Sequence, residues 1–205
     1  MFVGWMNDDG INKMYMRYAE IYLMAAEASN QLVGPSAAAP YLKEIRRRAF
    51  APALHSVKVD AYVDAINSSA DMFKAIVEEH KFEFTGEMER KQALIRWNLL
   101  ETNLISAKVK MFNLQQRIGE YADVPPTLYY KYAADNETLI IYGLNRNENV
   151  DPGSGYLPKV WTDLNDSKIN SLYSSSQNPD NRQFWPIWQV FLDGSNGTLT
   201  NDYGY

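Results

Sequence analysis

The spacing of apolar residues between Lys13 and Leu32 limits this chain more than any other feature. Tyr15, Tyr18, Ala19, Tyr22 and Ala26 recur at the 3.6-residue period of an α-helix, and Ile21, Leu23 and Met24 widen the stripe. Gly34-Pro35 breaks the run. A second helix is predicted from about Ser36, a suitable N-cap, to Phe50, with Tyr41, Leu42, Ile45 and Ala49 on one face. Two such helices joined by a short Gly-Pro turn pack as an antiparallel hairpin, with most of the helix tyrosines, Tyr18 and Tyr22 among them, in the core.

After a polar linker a third helix is predicted from near Asp71, with Phe73, Ile76, Val77, His80 and Phe84, interrupted at Gly86. A fourth follows from about Glu87, carrying Leu94, Ile95, Trp97 and Leu99, and another covers roughly Leu104 to Ile118. Beyond Pro125-Pro126 the period shortens toward two. Leu128 to Tyr132, a turn at Asp135-Asn136, and Leu139 to Tyr142 read as a β-hairpin. Gly143 to Tyr205 is rich in Asn, Ser, Gly and Pro, yet it contains Trp161, Trp185 and Trp188, so it reads as ordered coil pinned by aromatics. The expected class is mainly α, with a helical region at 1–118 and a loop-rich region at 119–205 that contains a small β-hairpin and packs on the helices as one structural unit.

Composition narrows the chemistry. The 205 residues include no Cys, which removes disulfides, thiolate nucleophiles, Cys-held zinc and a lipid-acceptor Cys within the chain. The formal charge of −5 leaves no basic excess for a phosphate backbone, so nucleic acid is not an expected partner. Met1 to Ile11 reads as neither a signal peptide nor a spanning helix. Taken alone, these features describe a cytosolic domain.

Motifs for catalysis or metal binding are weak. His55 falls in a linker and His80 within a helix, and no His-x-x-x-His or Glu-x-x-His spacing puts ligands on one face; neither a metal nor a cofactor is expected. Gly153-Ser154-Gly155 lacks the spacing of a nucleophile turn. Glu79, Glu83 and Glu87 recur at every fourth position beside Glu78, as a glycosidase carboxylate pair could. The plainer reading is a solvated face, or partners for Arg90 and Lys91. Asn145, Asn147, Asn149 and Asp151 offer oxygens at alternate positions, but Val150 and Pro152 occupy places where a calcium loop needs freedom, so a turn-rich loop is expected. Arg46-Arg47-Arg48 ends a helix, where cations suit the macrodipole.

Aromatic residues remain as the informative class, 27 of 205 and tilted toward Tyr. A Tyr or Trp ring offers an apolar face and a polar tip, which suits stacking on the C–H face of a sugar as well as pinning a loop. Tyr156, Trp161 and Tyr173 lie among Asn, Ser, Gly and Pro, where loop-borne binding residues are expected. They are the candidate glycan contacts.

Five segments, in order, resemble the C-terminal region of the SusD/RagB family of outer-membrane nutrient-binding proteins. They are Arg17-Tyr18-Ala19-Glu20 through Ala28; Tyr41-Leu42 through Arg48-Ala49; Glu83-Phe84-Thr85-Gly86-Glu87 with Arg90; Leu94-Ile95-Arg96-Trp97; and Asn178-Pro179 with Trp185-Pro186-Ile187-Trp188-Gln189 and the ending Asn201 to Tyr205. Ala93 stands where the family usually has an acid, Asn98 where Gly often follows, Trp188 in place of a second Pro, and Asp202-Tyr203 in place of Pro.

The resemblance implies a non-enzymatic component of polysaccharide uptake, built on a tetratricopeptide-like helix hairpin. Such a protein captures oligosaccharide at the outer membrane and passes it to a TonB-dependent, SusC-like transporter. It also implies an N-terminal part of the same protein, with further helix pairs and a lipidated anchor, so that this chain is a fragment or the product of a truncated reading frame. On that view the face of the first helix awaits a neighbour. An alternative reading is a helical-repeat adaptor that takes a peptide or helix in a groove.

Overall fold

The computed structural model describes residues 15–142, 152–160, 163–173 and 178–201. Contacts divide the chain into two compact units, Met1–Ala93 and Leu94–Tyr205.

The first unit is built on the hairpin of α1 (Tyr18–Leu32) and α2 (Pro35–Ala49), against which α4 (Ser69–Glu83) packs. Ala19, Leu23, Ala26 and Asn30 form the buried stripe of α1, and they meet Ala38, Leu42 and Ile45 of α2 and Met72, Ala75 and Ile76 of α4. The small residues let the helices approach closely, while Leu42, Ile45, Met72, Ile76 and Phe84 supply the volume. Tyr22 packs at the edge of this core, but Tyr18 is 69% exposed and is not part of it. The true stripe is set one position round from the tyrosines. The turn works through Gly34, whose φ of 124° suits a residue without Cβ, followed by Pro35 at the first helical position. The helix thus starts one residue before the expected Ser36 cap. Asn30 Nδ2 donates to the Ser69 carbonyl at 2.8 Å and ties the end of α1 to the start of α4.

The stretch expected as a polar linker is helical. A 3₁₀ turn at Pro52–Leu54 runs into a π-helix at His55–Ala61 and then α3 (Tyr62–Asp64), with Val59 and Val63 buried. Beyond α4, Gly86 takes a φ of 85°, and α5 covers Arg90–Arg96.

In the second unit α6 spans Leu100–Gln116 and ends on Arg117 in the left-handed region. Strands β1 (Thr127–Tyr132), β2 (Leu139–Tyr142) and β3 (Leu157–Val160) form an antiparallel sheet in the order β2-β1-β3. The hairpin β1–β2 stands where the sequence puts it, and Tyr132 faces Leu139. Its turn is stapled by Asp135, which accepts from the backbone N–H groups of Glu137 and Thr138 at 3.0 and 2.9 Å and from the Thr138 hydroxyl at 2.6 Å. The region expected as coil adds β3, α7 (Asp166–Asn170) and α8 (Gln189–Gly194). Side-chain bonds fasten these pieces: Asp180 accepts from Glu101 N–H, Gln115 donates to Asp166, and Asn201 bonds both the N–H and the carbonyl of Ile187.

Candidate functional site

Side chains directly opposite in an antiparallel sheet project from the same face. The registers Tyr129↔Tyr142, Tyr129↔Pro158 and Lys131↔Ile140 therefore put Tyr129, Lys131, Tyr142 and Pro158 on one face. The pairing of β1 with β3 runs Thr127↔Val160 to Tyr130↔Leu157, so its next step brings Tyr156 opposite Lys131. Two contacts agree. Lys131 Nζ lies 4.6 Å from the Tyr156 ring centroid, and the Tyr142 and Tyr156 rings are 6.0 Å apart at 60°.

Three tyrosines and a lysine thus share one surface. Each of the four is half-buried, held on one side and open on the other. Such rings can stack on the C–H face of a sugar, while the phenols and the ammonium supply hydrogen bonds to hydroxyls. Tyr129, Lys131 and Tyr142 were not singled out from the sequence; their usable signal was the alternation of β1, but the face closes only with β3. The opposite face carries Tyr130 and Tyr132, edge-on at 6.1 Å.

Of the residues expected from the sequence, Tyr156 belongs to this face. Tyr173 stands after α7, with Lys108 Nζ of α6 at 4.5 Å from its ring, on a different support from Tyr156. Trp161 lies outside the described residues, as do Asn145, Asn147, Asn149 and Asp151. Gly153 and Gly155 have φ of 88° and 91°, which makes Gly153-Ser154-Gly155 a turn leading into β3.

Glu78 of the acidic run acts electrostatically on Arg90, and the run has further partners. Arg17 forks onto Glu87 through Nε and Nη2 at 2.6 and 2.8 Å, reaches Glu83 Oε1 and the Glu83 carbonyl at 2.6 Å each, and lies 4.3 Å over the Phe84 ring. Arg48 also bonds Glu83. Glu79 is buried rather than on a solvated face; Arg46 Nη1 meets it at 2.5 Å, and desolvation, opposed by that cation, holds its carboxyl above the ordinary range. Within this run, Glu78 is the exposed carboxylate, paired within α4 to Lys81. His80 is buried against Phe84, with ring centroids 4.5 Å apart. Among the described residues no group of three or more His, Cys, Asp or Glu could hold a metal ion.

The sequence model of the SusD family matches residues 4–205. The chain belongs to the SusD family. A SusD-like protein, P25, of Formosa agariphila is 37% identical over 89 residues, which cover 43% of this chain and 16% of that protein. This chain therefore corresponds to a minor part of that relative's length. No solved structure matches it at a significant level. The SusD-family segments acquire physical roles here: the Arg17 segment and the Glu83-to-Glu87 segment are the two halves of one ionic clasp. Asn98 takes a left-handed φ of 55° where the family often has Gly, a conformation that Asn tolerates. Ala93, in place of an acid, is buried.

Proposed function

We propose that this chain binds glycan without breaking a bond, as part of an outer-membrane polysaccharide-uptake protein that hands oligosaccharide to a TonB-dependent, SusC-like transporter. Membership of the SusD family supports the class. The observation that carries it to this chain is the sheet face of Tyr129, Lys131, Tyr142 and Tyr156. We assign Trp161 and Tyr173 as further glycan contacts on the strength of their aromatic side chains. A non-catalytic role fits the acidic run, whose carboxylates are tied to Arg17, Arg46, Arg48 and Lys81 rather than left as an acid and a base. No helix among the described residues is long and apolar enough to cross a membrane. Membership of the SusD family supports attachment at the outer membrane through a lipidated segment.

Affinity electrophoresis through gels containing plant, algal or microbial polysaccharides tests the reading. Tyr156→Ala and Trp161→Ala should each weaken retention by the glycan that the wild type binds, by about three- to tenfold per ring. Unchanged mobility of a variant removes that residue from the site, and release of reducing sugar by the wild type would return the enzyme reading. A second reading has its own observation: Tyr15, Tyr18, Ile21 and Met24 leave an apolar, aromatic stripe of the first helix and its approach exposed, which suits an amphipathic partner helix. Hydrogen exchange separates the two, since a helix protects α1 and α2 whereas a glycan protects β1 to β3.

A further inference from the structure

The strands β1, β2 and β3 contain no Asp or Glu and two lysines, Lys131 and Lys159. Lys159 stands opposite Leu128, which puts it on the far side of the sheet from Tyr129. Lys131 is therefore the single charged residue that the three strands place on the face of Tyr129 and Tyr142. Around it stand rings, aliphatic groups and one hydroxyl, from the tyrosines and from Thr127, Ile140, Pro158 and Val160.

Among the described residues Lys131 forms no ion pair. Arg17, Arg46 and Lys168 each meet a carboxylate, whereas the Lys131 ammonium rests 4.6 Å from the Tyr156 ring centroid. The Tyr142 ring lies 6.0 Å from the same ring, so the cation sits beside an aromatic pair drawn from both sides of β1. A cation–π contact uses the charge and leaves the three N–H donors of the ammonium for other partners.

Range decides what this charge can select. The chain carries a formal charge of −5, so its distant field disfavours an anion. Exposed charges farther off than about 8 Å are largely screened at physiological ionic strength, and direct contact with Lys131 is not. A neutral sugar gives the ammonium a neutral hydrogen bond. An oxyanion on the sugar gives it a charge-assisted one, roughly twice as strong, while the sugar ring stacks on tyrosine.

From these features we infer that Lys131 is the specificity-determining residue of the sheet face, and that it selects glycans bearing an oxyanion, a carboxylate or a sulfate ester, at the rim of the stacked sugar. This inference rests on the glycan-binding reading above and adds to it the charge class of the ligand. Lys131 contributes both the positive charge and the donors, and the tyrosines contribute the stacking surface that acidic and neutral sugars share.

The test is a calorimetric titration of the 205-residue chain with two matched pairs of oligomers. One pair is a galacturonate oligomer and its methyl ester, which keeps the sugar skeleton without the charge; the other is a sulfated galactan oligomer and its desulfated form. The wild type should bind the charged member of at least one pair about three- to fivefold more tightly than the neutral member. Lys131→Gln should remove that difference and leave the affinity for the neutral member unchanged, and Lys131→Arg, which keeps the charge, should retain the preference. The pair that shows the difference identifies the anion as carboxylate or sulfate. Equal affinity within both pairs, no binding of either charged oligomer, or a preference that survives in Lys131→Gln overturns the inference and leaves the sheet reading standing. Tyr156→Ala tests that reading separately, since loss of a stacking ring should weaken charged and neutral members alike. Affinities unchanged by Tyr156→Ala overturn the sheet site, and the inference with it.

Discussion

Arg17 shows how a single side chain can connect elements far apart in sequence. Its fork spans 66 and 70 residues to Glu83 and Glu87. Lysine at this position keeps the charge but loses the bidentate geometry. Arg17→Lys should therefore lower unfolding free energy by about 1 kcal/mol and Arg17→Ala by about 2 kcal/mol. Equal stability of all three proteins in urea would show that the clasp contributes nothing.

Two carboxyls respond to pH with opposite sign. Burial leaves Glu79 above its ordinary range, so its contribution to stability is full below the unfolded pKa, about 4.3, and is lost as pH rises through the folded value. The stability of the wild type relative to Glu79→Gln should fall across that window in urea titrations; a relative stability that is flat or rises there contradicts the assignment. Asp135 is lowered to about 2, first by the Thr138 hydroxyl and then by the backbone N–H groups of Glu137 and Thr138. Its contribution is full above about pH 3.9 and is lost as pH falls through about 2. Carboxyl NMR should report that titration, with loosening of the hairpin turn on its acid side.

At the scale of elements, what could be read from the sequence followed from period. The α1–α2 hairpin was legible because Leu23, Ala26, Leu42 and Ile45 keep helical spacing on both sides of a Gly-Pro break. Leu42→Ala should cost about 3 kcal/mol, because the site is fully buried and cannot collapse freely; a loss below about 1 kcal/mol would mean the core is not packed as described. The stretch 52–64 was illegible for a converse reason. Its π-helical portion departs from the 3.6 period, and Val59 and Val63 are its only buried residues amid His55, Lys58 and Asp60. Strand β3 escaped notice because Leu157-Pro158-Lys159-Val160 carries a proline. An edge strand tolerates proline, and β3 is an edge. Missing β3 concealed the face that Tyr156 shares with Tyr129 and Tyr142. Likewise, Tyr18 was read as core because its period matched, although the packed stripe runs one residue further round.

For the whole molecule, the helical unit and the sheet-bearing unit divide the chemistry. Residues 1–110 hold 14 basic and 14 acidic residues, and among them Arg17, Arg46, Arg48, Glu79 and Glu83 form pairs that join α1, α2 and α4. Residues 111–205 carry 6 basic against 11 acidic residues and 9 of the 14 tyrosines, and the proposed glycan face lies there. The most direct measurement is an NMR titration of the ¹³C-tyrosine-labelled chain with oligosaccharide from the polysaccharide that retards it most. The account predicts that the ring resonances of Tyr129, Tyr142 and Tyr156 shift together and saturate at one concentration. A glycan that binds while these three rings stay unmoved would contradict it.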